Sequence, residues 1–287
     1  MFFVVKKLLH ATKTHLPELL LAVFVLYSRL IGTNWDSGQH LHPDERFVTM
    51  VQLALEVPTT WANYLDPQHS TVSPYNQGHS FFVYGMFPIL LNKIIAVFAH
   101  TDTYTLATLQ GRFLSGLVDC GTVLVLYQLT LALFPEHTKR RLLALFASTS
   151  YALAVLPIQL AHFFAVDSFL TFCITMTLLQ HVRFVQSPSV KQFVISAAFF
   201  SLAIACKINA ILLVPLIGPM LLIALWHGYS LQKPLLRILK IISSGLLYGV
   251  VILLVLRFAS PHYFASAALY NPTPNPQFIE NLKSLKQ

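Results

Sequence analysis

A small set of ionisable side chains lies next to the ends of long apolar stretches. Ionisable groups are uncommon at such positions unless they have a functional or structural role. They are His42, Asp44, Glu45, Arg112, His162, Asp167 and Lys207. A carboxylate can take the proton from an attacking hydroxyl group. A fixed Arg or Lys can stabilise a phosphate leaving group. Together these residue types suit sugar transfer from a phosphate-linked lipid to a hydroxyl acceptor.

Each of these residues also has a structural interpretation. Asp44 follows Pro43, a common helix start, and Asp167 precedes an apolar stretch in the same way. Arg112 and Lys207 could anchor helices at lipid headgroups, and the two histidines could be ordinary surface side chains. Charged groups in hydrocarbon cost about 2.5–3.5 kcal/mol and are usually functional or paired, which favours a functional interpretation of the set.

The composition indicates what kind of element must position these residues. Of the 287 residues, 55% are hydrophobic and 10% are charged, and the mean hydropathy is +0.64. Soluble domains carry about 25% charged residues, so the composition predicts an integral membrane protein. In a membrane protein the net charge of +8 does not by itself indicate nucleic-acid binding, because Lys and Arg concentrate in cytoplasmic loops. Their positions along the chain therefore indicate its topology. Cys120, Cys173 and Cys206 lie in apolar stretches without metal or disulfide spacing.

A transmembrane helix needs about 20 apolar residues. The stretch Phe193–Trp226 is too long for one crossing, and we divide it near Lys207. The segment Phe81–Phe98 is ambiguous because it contains Pro88, Asn92 and Lys93. The remaining candidates are Leu16–Ile31, Leu109–Phe134, Leu142–Leu160, Phe169–Phe184 and Ile238–Phe258.

Basic residues decide the ambiguous case, since short cytoplasmic loops are rich in Lys and Arg. If Phe81–Phe98 is a juxtamembrane or re-entrant helix that does not cross, two basic clusters face the cytoplasm. These are Lys6, Lys7 and Lys13 near the N-terminus, and Lys139, Arg140 and Arg141 in a short loop. The prediction is an all-α membrane protein with about seven transmembrane helices and a cytoplasmic N-terminus.

We expect one catalytic module over residues 1–287. It has a long first extracytoplasmic loop at about 32–108, which contains juxtamembrane helices, and an outer tail at 260–287. Loops this long between spans are uncommon and often functional. The chain stops in what looks like a loop, as expected for a fragment or a shortened relative of a longer protein.

Several motifs occur in a characteristic order: HPDE after the first span, YGMFP followed by Lys93, then GRFLSGL and HFFAVDS. This order resembles the GT-C superfamily of glycosyltransferases. It is most similar to the branch that uses polyprenyl- or dolichyl-phosphate sugars, which includes protein O-mannosyltransferases and aminoarabinose lipid A transferases. The resemblance covers nearly the whole chain, from Leu16 to about Leu282.

The resemblance implies roles for individual residues. Asp44 is the expected catalytic carboxylate, with Glu45 beside it. Arg112, expected to open the second span, and Lys207 would approach the phosphate of the carrier. Asp167 matches the acid of the second outer loop.

Cofactor use stays open on the same resemblance. In oligosaccharyltransferase relatives two such acids hold a divalent metal, and the equivalents here would be Asp44 and Asp167, with Mg²⁺ or Mn²⁺ as the ion. The mannosyltransferase-like branch does not clearly need a metal, and Asp167 stands alone instead of in a DxD or DxE motif. His42 and His162 are expected to support the site.

The functional hypothesis is an inverting transfer of sugar from a polyprenyl-phosphate donor to a hydroxyl of a protein, lipid or glycan. The expected partners are the lipid-linked donor, the acceptor and membrane lipids, without nucleic acid. The reaction would occur on the extracytoplasmic face, in a prokaryotic plasma membrane in preference to the endoplasmic reticulum. A transporter or flippase is the main alternative, although we find no internal repeat of the kind common in transporters. A seven-span receptor, with its N-terminus outside, is a further alternative.

Overall fold

The computed structural model describes residues 15–228 and 234–285. Within these ranges the chain is helical, and extended pairing is limited to one bridge between Phe264 and Pro274. The predictions for Lys6, Lys7, Lys13 and the N-terminus concern residues outside the described ranges. The first part of the chain forms α1 (Leu16–Leu30), α2 (Pro43–Ala54), α3 (Trp61–Leu65), a 3-10 turn (Pro74–Gln77) and α4 (Phe87–Phe98).

The second part contains the longer helices. They are α5 (Tyr104–Leu133), α6 (Arg140–Leu153), α7 (Val155–Ala161), α8 (Asp167–Gln186), α9 (Val190–Cys206), α10 (Val214–Gly228), α11 (Pro234–Ala259) and α12 (Pro276–Ser284). Two 3-10 segments, Ile208–Leu213 and Pro261–Tyr263, precede α10 and follow α11. A helix break therefore occurs at Lys207, where the sequence predicted a division.

The number of segments able to cross a membrane is smaller than predicted. Four segments of the described chain are long and apolar enough, and α6 with α7, bent by 62°, can be counted as a fifth. The predicted seven are not confirmed. At 1.5 Å per residue, α1 and α9 are only about 22 and 25 Å long, less than the roughly 30 Å of hydrocarbon. The four segments are Tyr104–Leu133, Asp167–Gln186, Ile208–Trp226 and Pro234–Ala259.

Helix α4 covers the ambiguous segment and has 12 residues, about 18 Å, which is shorter than the hydrocarbon layer. Its polar residues point into the protein. Asn92 donates hydrogen bonds to Gln52 Oε1 at 2.7 Å and to the carbonyl of Ala107 at 2.9 Å. Lys93 pairs with Asp102 at 2.5 Å. Buried polar groups need such partners, so these side chains tie α4 to α2 and to the start of α5.

A buried ion pair joins α1 to α5 within the bundle. Arg29 Nε lies 2.9 Å from Asp119 Oδ2, and the Tyr151 hydroxyl donates to Asp119 Oδ1 at 2.6 Å. A second polar cluster lies where α1 begins. There Glu18 accepts hydrogen bonds from Arg141 at 2.5 and 2.7 Å and from Tyr127 at 2.9 Å. The two clusters fix α1 antiparallel to α5.

The chain between α1 and α5, residues 31–103, is called the first loop below. We call the end of the bundle that carries it the first-loop end. Arg141, which the sequence placed with the cytoplasmic cluster, lies at the opposite end beside Glu18. The core of the bundle is formed by α8 packed against α5 and α9, and by α9 packed against α11.

Candidate active site

A buried ion cluster centres on Arg112 at the first-loop end. Its Nε and Nη2 donate to the two carboxylate oxygens of Glu45 at 2.8 and 2.6 Å. Its Nη1 and Nη2 donate to Asp36 at 3.0 and 2.7 Å, and Nη1 also donates to the carbonyl of Thr33 at 2.8 Å. Hydrogen bonds from Arg112 hold the pKa of the Asp36 carboxyl well below its usual range. Since a guanidinium has five N–H donors, every donor of Arg112 is used within the protein.

Glu45 extends this cluster to a third part of the chain. The backbone N–H of Phe164, in the turn between α7 and α8, donates to Glu45 Oε1 at 2.7 Å. Glu45 is fully buried. The cluster therefore holds α2, α5 and this turn in fixed relative positions.

The predicted roles of Glu45 and Arg112 remain predictions, and the structure adds one condition to each. Arg112 would have to release a partner before it could bind a phosphate. Glu45 would have to do the same before it could accept a proton. Arg112 also lies eight residues inside α5, which begins at Tyr104, and so does not open that helix as predicted.

Asp44 differs from its neighbour Glu45 because its side chain is exposed. Pro43 occupies the first position of α2, and His42 Nδ1 caps the helix by accepting from the Glu45 N–H at 3.3 Å. The His42 ring stacks on Phe163 with 4.1 Å between centroids. Asp44 makes no hydrogen bond or ion pair with any residue of the described ranges. The capped start of α2 therefore holds the Asp44 carboxylate in place without a partner among the described residues.

Asp167 and Lys207 form an ion pair, although they are 40 residues apart. Lys207 Nζ lies 3.3 Å from Asp167 Oδ1, and 37% and 35% of their side chains are exposed. Asp167 is the first residue of α8, and Lys207 has extended backbone in the break after α9. The pair is long and open to solvent, so either group can exchange its partner for a ligand.

The first loop passes directly over this break. The Gly85 N–H donates to the carbonyl of Cys206 at 3.0 Å. A Cβ atom at position 85 would lie 1.9 Å from the carbonyl oxygen of Ala205, so only glycine allows this approach. The Met86 N–H donates to Ser260 Oγ at 2.9 Å. The loop is therefore fixed on the end of α9.

Tyr84, next to this contact, lies close enough to Asp44 and Asp167 for both charges to act on its phenol. Its ring packs against Phe47 and Phe82, with centroids 6.3 and 6.0 Å away. Burial raises the pKa of the Tyr84 phenol, and the charges of Asp44 and Asp167 raise it further. Asp44, Tyr84, Asp167 and Lys207 are grouped on these interactions as the candidate binding site, which is called the Tyr84 pocket below.

His162, the second predicted supporting histidine, contacts backbone carbonyl groups. His162 Nδ1 and Nε2 lie 2.7 and 2.9 Å from the carbonyl oxygens of Ile158 and Ile31. Trp35 Nε1 donates to the carbonyl of His162 at 3.3 Å. These contacts hold the end of α1 against the turn after α7.

Two residues of this region were missed from the sequence. Asp36, in the segment NWDSG just after the first span, shares Arg112 with Glu45. Its position as an acid close to the end of an apolar helix could have identified it as a candidate. Tyr84 lies in the motif YGMFP and was not predicted to be part of the site.

A divalent metal does not fit the arrangement well. Among the described residues there is no group of three or more His, Cys, Asp or Glu side chains that could hold an ion. Of the two acids that the resemblance implied as metal ligands, Asp44 and Asp167, the second already pairs with Lys207. No step proposed below uses a metal.

The long apolar helices and the polar groups gathered at one end are typical of an integral membrane enzyme, and comparison with known families defines its class. The chain is a glycosyltransferase of the GT-C type. The model of the family described as dolichyl-phosphate-mannose-protein mannosyltransferase matches residues 88–264. Since the match covers more than half of the chain, the protein belongs to this family. A search of curated proteins finds no match.

The matched region includes four of the predicted site residues: Arg112, His162, Asp167 and Lys207. It begins after Asp44 and Tyr84. The resemblance found in the sequence is thereby confirmed at the level of the family.

Proposed function

We propose that this protein transfers a sugar from a polyprenyl-phosphate-linked donor to a hydroxyl acceptor in the Tyr84 pocket. One observation carries this proposal: the free carboxylate of Asp44 and the carboxylate of Asp167 both act on Tyr84, and Asp167 is paired with an exchangeable cation, Lys207. A base and a phosphate-binding cation at one pocket are what displacement of a lipid phosphate by a hydroxyl group requires. The family name supports a mannosyl donor and a protein acceptor as the first pair to test.

In the proposed reaction Asp44 takes the proton from the acceptor hydroxyl as its oxygen attacks the anomeric carbon of the sugar. The bond between that carbon and the phosphate oxygen breaks, and the electron pair leaves with the polyprenyl phosphate. Attack opposite the leaving group inverts the configuration of the anomeric carbon. Asp44 then releases its proton to solvent, which restores the enzyme.

Lys207 is the better candidate for contact with the leaving phosphate. Its single ion pair with Asp167 is 3.3 Å long and partly exposed, and salt bridges in such surroundings contribute about 1 kcal/mol or less. A phosphate oxygen can therefore replace Asp167 at little cost. Arg112 would have to lose one of five buried hydrogen bonds, which is far more costly.

Arg112, Glu45 and Asp36 are proposed to hold the pocket in shape. Glu45 is next to Asp44 in the chain, so its contacts with Arg112 and with the Phe164 N–H set the direction of the Asp44 carboxylate. His42 has a related function, since it caps the same helix. In this proposal Asp44 acts as the base, and Glu45 holds it in position.

The proposal places the pocket on the extracytoplasmic face. It is supported by Arg141 and Glu18 at the opposite end of the bundle, because basic residues of short loops favour the cytoplasm. Helix α4, too short to cross, would lie between the bilayer and the pocket. The isoprenoid tail of the donor would remain in lipid while its phosphate reaches Lys207.

The direct test is to incubate the purified protein with a panel of polyprenyl-phosphate sugars, including the mannosyl donor, and with hydroxyl acceptors. We expect release of polyprenyl phosphate that depends on acceptor, together with a glycosylated product of inverted configuration. Movement of the intact lipid across reconstituted vesicles, with no covalent change for any donor, would refute the proposal and favour the flippase alternative.

A further inference from the structure

Tyr84 is held in place from two sides. On one side its ring lies among Phe47, Phe82 and other residues of the cluster around α2. On the other side it packs with the cluster formed by Val166, Phe169 and Cys206. Phe47, Val166 and Cys206 lie within three residues of Asp44, Asp167 and Lys207 along the chain. Tyr84 therefore packs beside all three parts of the chain.

The backbone next to Tyr84 has little freedom to move. The Gly85 N–H is bound to the Cys206 carbonyl, and the Met86 N–H is bound to Ser260 Oγ. Ser260 Oγ in turn donates to the carbonyl of Ala205 at 3.3 Å. Groups that are already held in position lose less entropy when they bind a ligand. The fixed backbone beside Tyr84 therefore makes its side chain suitable for binding a ligand.

The Tyr84 hydroxyl makes no hydrogen bond with any residue in the part of the chain that the structure describes. Its pKa is raised by burial and by Asp44 and Asp167, so the phenol stays protonated and can donate at neutral pH. Carboxylates only accept hydrogen bonds, and the N–H donors of Arg112 are used elsewhere. The pocket therefore offers two kinds of donor, the Lys207 ammonium and the Tyr84 hydroxyl.

We propose that the Tyr84 hydroxyl donates a hydrogen bond to the phosphate of the lipid-linked donor, beside Lys207. This inference rests on the proposed function. A phosphate diester is an anion, which Asp44 and Asp167 would repel and Lys207 would attract. A neutral O–H donor adds attraction for the phosphate without neutralising the carboxylate that serves as base.

The test is Tyr84→Phe in the full chain, which keeps the ring and removes only the hydroxyl. A hydrogen bond to a charged group corresponds to a loss of about 10- to 100-fold. We expect the KM for the donor to rise by this factor while kcat changes little. The inhibition constant of free polyprenyl phosphate, a product that carries the same phosphate, should rise in parallel.

The matched control is Tyr75→Phe. Tyr75 belongs to the same loop, but its hydroxyl is already used in a hydrogen bond to the carbonyl of Phe82 at 2.9 Å. It should leave the donor KM and the inhibition constant unchanged. Thermal unfolding of both variants shows whether either change disturbs the fold.

Two results would overturn the inference: a donor KM in Tyr84→Phe equal to that of the unaltered protein, or an effect confined to the acceptor KM. Failure of the proposed function itself would be seen separately, because the unaltered protein would then release no polyprenyl phosphate.

Discussion

Replacing Arg112 with Met separates the two interpretations of this residue, a ligand of the carrier phosphate and a support of the fold. Met has similar bulk and no charge. The change removes all five hydrogen bonds of Arg112 and leaves Glu45 and Asp36 as two buried carboxylates without their cation. The Phe164 N–H would then be the strongest remaining partner of Glu45.

The magnitude follows from the burial of the cluster. Arg112, Asp36 and Glu45 have side chains that are 0–1% exposed. Breaking a buried ion pair by removing one partner costs about 3–5 kcal/mol, because a charge is left uncompensated. Arg112→Met strands two carboxylates, so we expect a loss at the upper end of this range.

The assay is thermal or denaturant unfolding of the purified protein in detergent, followed by donor kinetics at a temperature where each variant is folded. Arg141→Met is the matched control, because Arg141 pairs with Glu18 in a half-exposed setting. We expect it to lose less stability. Adding Asp36→Asn and Glu45→Gln to Arg112→Met removes the stranded charges and should recover part of the loss.

A folded Arg112→Met protein with unchanged unfolding temperature and a donor KM raised at least tenfold would refute this reasoning. Arg112 would then be the phosphate ligand that the sequence predicted. Retained stability in Arg112→Met combined with unchanged kinetics would contradict both interpretations.

Three further predictions follow from single contacts. Lys207→Met should raise the donor KM about tenfold or more, while Lys207→Arg, which keeps the charge, should retain part of the affinity in the same assay. Gly85→Ala should lower the unfolding temperature by several degrees, since its Cβ would lie 1.9 Å from the Ala205 carbonyl oxygen; an unchanged temperature would contradict the loop contact. The pKa of Asp36 is depressed in the folded state by Arg112, so its contribution to stability is full above about pH 4 and is lost at lower pH. The difference in unfolding free energy between the unaltered protein and Asp36→Asn should therefore shrink as the pH falls below about 4, which unfolding of both proteins across this pH range would show.

Much of the helical organisation could be predicted because the hydrophobic pattern determines it directly. The break at Lys207 was visible as a charged residue within a stretch too long for one crossing. The short helix α4 was visible through Pro88, Asn92 and Lys93. The number of spans was not predictable, because it depends on where helices begin, end and bend. Composition does not show the 62° bend between α6 and α7.

The sequence indicated which residues belong to the candidate site. It did not indicate which of them are exposed to a ligand and which are buried in support of the others. Asp44 and Glu45 are neighbours, and the sequence alone gives no reason to treat them differently. In the helix they point in different directions, so that one is buried against Arg112 and the other is exposed. Asp36 became part of the site only through a contact 76 residues away along the chain.

The central claim is that Asp44 acts as the base on a donor held in the Tyr84 pocket. The most direct measurement compares Asp44→Asn with the unaltered protein for both donor binding and release of polyprenyl phosphate. Asp66→Asn serves as the matched control, because Asp66 is an acid of the same loop with its own partners, Gln68 and His69. We predict that Asp44→Asn binds the donor and folds normally but releases no polyprenyl phosphate, while Asp66→Asn remains active. Turnover by Asp44→Asn at a rate near that of the unaltered protein would contradict the claim.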